Sequence, residues 1–129
     1  MRFLVLLLLC LIANGCASSA KQDYFYNEIV IRNNSTSPVS DVTISIKNRG
    51  MLFNCSFIAP RAECSNKFRK QKYQGRPIRI KWTHNYKTNQ TQQLNMTLPA
   101  HFAPEKMIRG VLEVKNDGTI RPYLEQPTP

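Results

Sequence analysis

Residues 51–68, Met-Leu-Phe-Asn-Cys-Ser-Phe-Ile-Ala-Pro-Arg-Ala-Glu-Cys-Ser-Asn-Lys-Phe, constrain the fold more than any other stretch. Met51, Phe53, Cys55 and Phe57 alternate with Leu52, Asn54, Ser56 and Ile58. A period of two is what a strand with one buried face requires, because successive side chains leave opposite sides of the pleat. Residues 59–62 break the run, since Pro60 lacks an amide donor and fixes its own φ. A second alternation in Cys64, Asn66 and Phe68 follows. The expected object is a hairpin or corner that brings Cys55 and Cys64 within bonding reach. Their spacing is too wide for a Cys-x-x-Cys redox motif. Closing so short a loop removes roughly 2 to 3 kcal/mol of unfolded-state entropy, a useful part of a small domain's net stability. Two buried free thiols are the alternative, which an oxidising compartment disfavours.

Export is read from the N-terminus. Met1-Arg2 supplies one positive charge, and residues 3–12 form an apolar run too short to span a bilayer as a stable helix, the pattern of a secretory signal peptide. Ile12-Ala13-Asn14-Gly15-Cys16-Ala17 resembles the lipobox of bacterial lipoproteins, with Asn14 in place of the small residue usual there. That resemblance implies a signal peptide over 1–15, an acylated Cys16 as mature N-terminus, and the outer membrane as destination, since Ala17 is not the aspartate associated with inner-membrane retention. Cleavage after Ala17 or Ala20 by an ordinary signal peptidase is the alternative, giving a secreted protein. Either cut removes Cys10 and leaves Cys55 and Cys64 as one even pair.

The body of the chain is all-β. Strands are expected over 25–32, 42–46, 51–58, 64–68, 78–82, 92–98, 108–114 and 119–124, after a polar tether over 16–24 and before a flexible tail over 125–129. Residues 33–38 form a loop by composition, and Asn48-Arg49-Gly50 a turn. Ile78, Ile80 and Trp82 share one face; Leu94, Met96 and Leu98 share another. Asn116-Asp117-Gly118 tolerates positive φ and is the strongest hairpin signal. Pro122 places the last strand at a sheet edge. Seven or eight short strands in one domain fit a single antiparallel β-sandwich with one local disulfide, resembling immunoglobulin-like architecture. The Ig-like resemblance is to architecture alone, because Trp82 follows both cysteines instead of lying between them. The order Asn-Asn-Ser, Val-rich strand, Phe-x-Cys and Ala-Pro corner also resembles small Ig-like envelope proteins.

Charge is the functional asymmetry. The chain carries a formal +10, and losing Arg2 from its 18 basic residues leaves 17 against 8 acidic. Between Glu63 and Glu105 there is no acid, yet Lys67, Arg69, Lys70, Lys72, Arg76, Arg79, Lys81 and Lys87 fall in that span. With Ile78, Ile80 and Trp82 inward, Arg79 and Lys81 face out, and Lys70, Lys72 and Arg76 are expected in an adjoining loop. The eight would form one electropositive, anion-binding face with Tyr73 and Tyr86 near its margins, drawing in anions over about a Debye length. The competing reading is a solvated sheet side with lysines placed to discourage edge pairing.

Chemistry is otherwise sparse. His84 and His101 are the bases available near neutral pH. Both sit in predicted loops without a nucleophile motif, so no catalytic residues, and no enzyme, are expected. Cys55, Cys64, His84 and His101 lack zinc-ligand spacing, so no metal or other cofactor is expected. The reading that follows is a non-catalytic, lipid-anchored envelope module whose partner is an anionic glycan, a lipid headgroup or an acidic protein. Export removes nucleic acid from first place. The alternative is a secreted glycoprotein of a eukaryote or its pathogen, acting as inhibitor or ligand. Asn-x-Ser/Thr sequons at Asn33, Asn34, Asn54, Asn89 and Asn95 would then be surface positions.

Overall fold

Ile78, Ile80 and Trp82 point inward and Arg79 and Lys81 outward, as alternation demands. The computed structural model describes residues 22–46 and 51–127. The signal segment, Cys16 with its cut, the Asn48-Arg49-Gly50 turn and the last two residues of the tail lie outside the described residues. Eight strands are described: β1 (Phe25–Asn33), β2 (Val39–Ile46), β3 (Met51–Ile58), β4 (Glu63–Lys72), β5 (Ile78–His84), β6 (Thr88–Leu94), β7 (Ile108–Val114) and β8 (Ile120–Glu125). They form two four-stranded sheets. The first has the order β4-β1-β7-β8 and the second β3-β2-β5-β6.

The sheets pack across one apolar core. Ile29, Ile31, Ile108, Leu112 and Val114 of the first meet Val39, Val42, Ile44, Ile80 and Trp82 of the second. Among the described pairings one departs from the expected antiparallel pattern: β1 and β7 run parallel. Both are central strands with both faces covered, the setting in which parallel pairs are tolerated. Val30 and Val111 are partners in that pairing, lie outside the main core cluster, and yet are 0% exposed. Arg32 and Arg109, two residues along from Val30 and Val111 on the same strands, are ion-paired to Glu63, Glu125 and Glu28.

Cys55 and Cys64 are disulfide-bonded, with Cα atoms 6.5 Å apart. Their strands belong to different sheets, so the bond staples the two layers along one flank. The corner between them places Arg61 at φ 66 and is held by Arg61 N–H to Asn33 C=O at 2.9 Å and Asn33 N–H to Ala62 C=O at 2.9 Å.

Several boundaries move. β2 begins at Val39, ahead of the expected 42, and Asp41 (φ 50) marks a bulge against β5. Val39 and Val42 therefore both face the core, as do their β3 partners Ile58 and Cys55. Phe57 loses its place in the inward set and is 54% exposed. β6 begins at Thr88 and ends at Leu94, whereas a strand was expected over 92–98; Met96 is buried and Leu98 packs on the core without strand pairing. β1 begins at Phe25, and residues on either side of the strands, in the expected tether and tail, make contacts with the domain. Asp23 binds Lys72 at 3.0 Å, Tyr24 donates to Phe102 C=O at 3.0 Å, and Gln126 donates to Ala103 C=O at 2.6 Å.

Candidate anion-binding surface

The eight cations do not share one face. Lys67, Arg69, Lys70 and Lys72 all lie on β4, an edge strand of the first sheet. Lys70 and Lys72 are strand residues, because β4 runs on to Lys72 with a bulge against β1, where a loop was expected. Arg76 occupies the connection to β5, its Nε donating to Gln74 Oε1 at 2.8 Å. Arg79 and Lys81 belong to β5 in the second sheet, and Lys87 follows the turn into β6. The physical reason is topological: the chain changes sheets between β4 and β5, so a continuous block of charge in sequence is divided between two layers. Tyr73 is half-buried and donates to Met96 C=O, whereas Tyr86 is 70% exposed in the β5–β6 turn.

The acids divide unevenly. Glu28, Glu63, Glu113 and Glu125 all stand on the first sheet. Arg32 meets Glu63 at 3.0 Å and Glu125 at 3.5 Å; Arg109 meets Glu125 at 2.5 Å and Glu28 at 3.4 Å; Arg121 meets Glu113 at 3.1 Å. Lys67 lies opposite Glu28 in the β1–β4 register. Lys72 is paired with Asp23, and Lys70 Nζ sits 4.6 Å over the Phe25 ring. The first sheet therefore carries a mixed surface, its four glutamates each beside an arginine while Lys67, Arg69 and Lys70 add positive charge along β4.

The outer face of the second sheet is different. Register places three rows across its four strands: Leu52, Ser45, Arg79 and Gln93; Asn54, Thr43, Lys81 and Thr91; Phe57, Ser40, Thr83 and Asn89. No acid stands in any row, and Asp41 at the β2 bulge is the acid beside them. Leu52, 60% exposed, and Phe57 put apolar surface along the β3 edge. Arg79 and Lys81, about 7 Å apart at two strand rises, lie between hydroxyls and amides. Thr43, Ser45, Leu52, Arg79 and Lys81 line a shallow depression of about 250 Å³. A guanidinium fork takes a carboxylate or sulfate through two parallel hydrogen bonds. Flanking hydroxyls and amides both donate and accept, which suits sugar hydroxyls.

One polar cluster was not anticipated. Asn33 is fully buried and its Nδ2 donates to Ser37, Ile58 and Ala59 carbonyls at 2.8, 3.1 and 3.2 Å. Its Oδ1 accepts from Ser35 Oγ at 2.6 Å, and Ser35 Oγ lies 3.2 Å from His84 Nε2. His84, expected in a solvated loop, is the half-buried last residue of β5. Ser35 is fully buried, and its Oγ also lies 2.9 Å from Ser37 C=O, so Asn33 Oδ1, Ser37 C=O and His84 Nε2 all surround a single hydroxyl proton. The cluster ties the 33–38 loop to the 59–62 corner and to β5. Asn33 is therefore no surface sequon, while Asn34, Asn54, Asn89 and Asn95 are exposed. An Asn at a strand end with Ser two residues on is the signature of an Asx-turn, and that signal was present in the sequence. His101 is exposed and stacks edge-on against Phe102 at 5.2 Å. Among the described residues no three of His, Cys, Asp and Glu are placed to hold a metal ion, and no helix is long and apolar enough to cross a membrane.

No family model matches the chain, and no curated protein does. A solved NMR structure of a protein from Eubacterium rectale aligns with it at a TM-score of 0.47 and 12% identity, over 88% of this chain and 96% of that one.

Proposed function

We propose that this chain is a non-catalytic, lipid-anchored module of the bacterial outer membrane that binds an acidic glycan on the outer face of its second sheet. The observation carrying the proposal is the segregation of charge. The glutamates of the first sheet are held in ion pairs with Arg32, Arg109 and Arg121, whereas Arg79 and Lys81 stand among Thr43, Ser45, Thr91 and Gln93 in acid-free rows. A field left uncancelled on one face raises the local concentration of anions. Polar rows with an apolar margin at Leu52 and Phe57 favour a sugar over a bare inorganic anion. The Ig-like relationship and the lipid anchor belong to the same proposal, resting on the strand pattern and the lipobox-like segment.

The test is binding of an acidic oligosaccharide by the purified protein and by Arg79→Gln plus Lys81→Gln. Loss of roughly tenfold or more in affinity is expected, at about 1.5 to 3 kcal/mol for a hydrogen bond to a charged group, with a strong salt dependence in the wild type and an unchanged melting temperature. Unchanged binding, or binding of acidic proteins alone, would overturn the glycan reading. The secreted glycoprotein reading draws support from the exposure of Asn34, Asn54, Asn89 and Asn95. The two readings exclude each other on this face, because Asn54 and Asn89 lie in its rows and glycans there would cover Arg79 and Lys81. Intact mass of the native protein separates them.

A further inference from the structure

The end of the sandwich where the described chain begins is also where a second set of cations gathers. Gln22, Asp23 and Tyr24 line a cleft of about 910 Å³ together with Lys72, Tyr73, Arg76 and Met96. Lys70 stands beside it at the end of β4, over Phe25. Arg79 borders the same end through Pro77, with which it lines a neighbouring depression. The acids at this end are Asp23, paired with Lys72, Glu105, next to Lys106 in the connection entering β7, and Glu28 and Glu125, both paired with Arg109 at the start of β7. The opposite end carries the Asn33–Ser35–His84 cluster, the 59–62 corner and the β5–β6 and β7–β8 turns.

From this placement we infer that the cleft end, through Lys70, Lys72 and Arg76, seats the domain on anionic phospholipid headgroups of the leaflet that holds its anchor. The inference rests on the lipid-anchor reading proposed above and adds an orientation to it. Gln22 is six steps along the chain from Cys16, a reach of at most about 20 Å, so the end at which Gln22 stands is the one that meets the membrane surface. Each Lys or Arg near an anionic leaflet contributes about fivefold in affinity, and the attraction fades within a Debye length. Cations at this end lie within that range, whereas Lys87 and Lys115 at the far end do not. The glycan face, running along the side of the sandwich, stays open.

Protein purified from cells expressing the full chain with its own leader is placed on vesicles of phosphatidylglycerol with phosphatidylcholine, and on phosphatidylcholine alone. Hydrogen exchange of backbone amides is then followed. Anionic vesicles are expected to slow exchange severalfold at residues 72–76 and 95–98 relative to neutral ones, with no change at 33–37 or 59–62. Lys70→Gln plus Arg76→Gln should abolish the difference and weaken cosedimentation by roughly fivefold per cation. The matched pair Lys87→Gln plus Lys115→Gln should alter it by less than about twofold, being outside the screening length. Equal losses in both pairs, protection at the far end, or no difference between vesicles would overturn the seat. Slowing by inorganic phosphate alone would overturn it too, making the cleft a small-anion site. Intact mass of the same preparation reports the acyl group separately, so an unacylated protein that still shows the protection would sink the anchor and leave the seat standing.

Discussion

Asn33 shows how much one side chain holds. Its amide spans three carbonyls from two segments and its oxygen takes the Ser35 hydroxyl, so every polar atom of a fully buried residue is matched. Asn33→Ala removes a donor from three carbonyls, of which Ser37 C=O keeps Ser35 Oγ and Ala59 C=O keeps Ala62 N–H; a loss of about 1 to 3 kcal/mol, centred on Ile58 C=O, is expected in urea unfolding, against a change near zero for exposed Asn34→Ala. Tyr73 makes a prediction in pH. Burial, and secondarily neighbouring Tyr26, push its phenol from 10.0 up to about 12. A phenol whose folded pKa is raised stabilises the fold fully below the unfolded value and loses that contribution as pH climbs through the folded one. Stability should therefore fall between about pH 10 and 12. Tyr73→Phe should blunt that fall, while costing about 1 kcal/mol at neutral pH for the lost bond to Met96 C=O.

At the scale of elements, the open flank formed by β3 and β4 is managed twice. The disulfide fastens these two edge strands to one another across the layers, and the charges of Lys67, Arg69, Lys70 and Lys72 discourage another chain from adding to β4. Part of the basic block therefore serves the sheet itself. Removing the staple with Cys55→Ala plus Cys64→Ala should cost about 2 to 5 kcal/mol, as in other small disulfide-bonded domains, read as a lowered urea midpoint. Two titratable thiols in the native, unreduced protein would remove the basis for that expectation. On the other flank, β8 needs no such staple. Pro122 withholds a donor from its edge, and Gly118 at φ 84 closes the hairpin while its C=O accepts from Trp82 Nε1 at 3.2 Å.

For the whole molecule, the distribution of charge matters more than its sum. A formal +10 is compatible with a uniformly solvated surface, but four of the five glutamates stand on one sheet and the second sheet's outer rows hold none. Anchoring would turn that asymmetry into orientation, with one end toward the membrane and the charged rows along the side. Native protein expressed with its own leader should partition into detergent and carry a diacylglyceryl mass on Cys16, both abolished by Cys16→Ser. An unmodified N-terminus at Ser18 or Lys21 would leave a secreted protein in place of an anchored one.

The period of two was enough to identify the strands, because a half-buried strand must alternate and Ile78, Ile80, Trp82 and Val42, Ile44, Ile46 do so without interruption. The Cys55–Cys64 bond was equally legible, since a nine-residue separation across an Ala-Pro corner leaves the two sulfurs little room to miss one another. Asn116-Asp117-Gly118 and Pro122 announced the last hairpin and its edge by backbone chemistry that acts locally. What strand alternation could not convey was which layer each strand would join. Lys72 and Arg79 are near in sequence, yet the chain changes sheets between them, and so the basic block was divided. The bulge at Asp41 likewise reversed the facing of Phe57, because an unpaired residue flips the parity of all that follow, and pairing with β1 as far as Phe25 drew Lys70 and Lys72 into a strand. The parallel meeting of β1 with β7, and the burial of Asn33 against a corner 25 residues away, depend on contacts remote in sequence, and only the assembled sandwich could decide them.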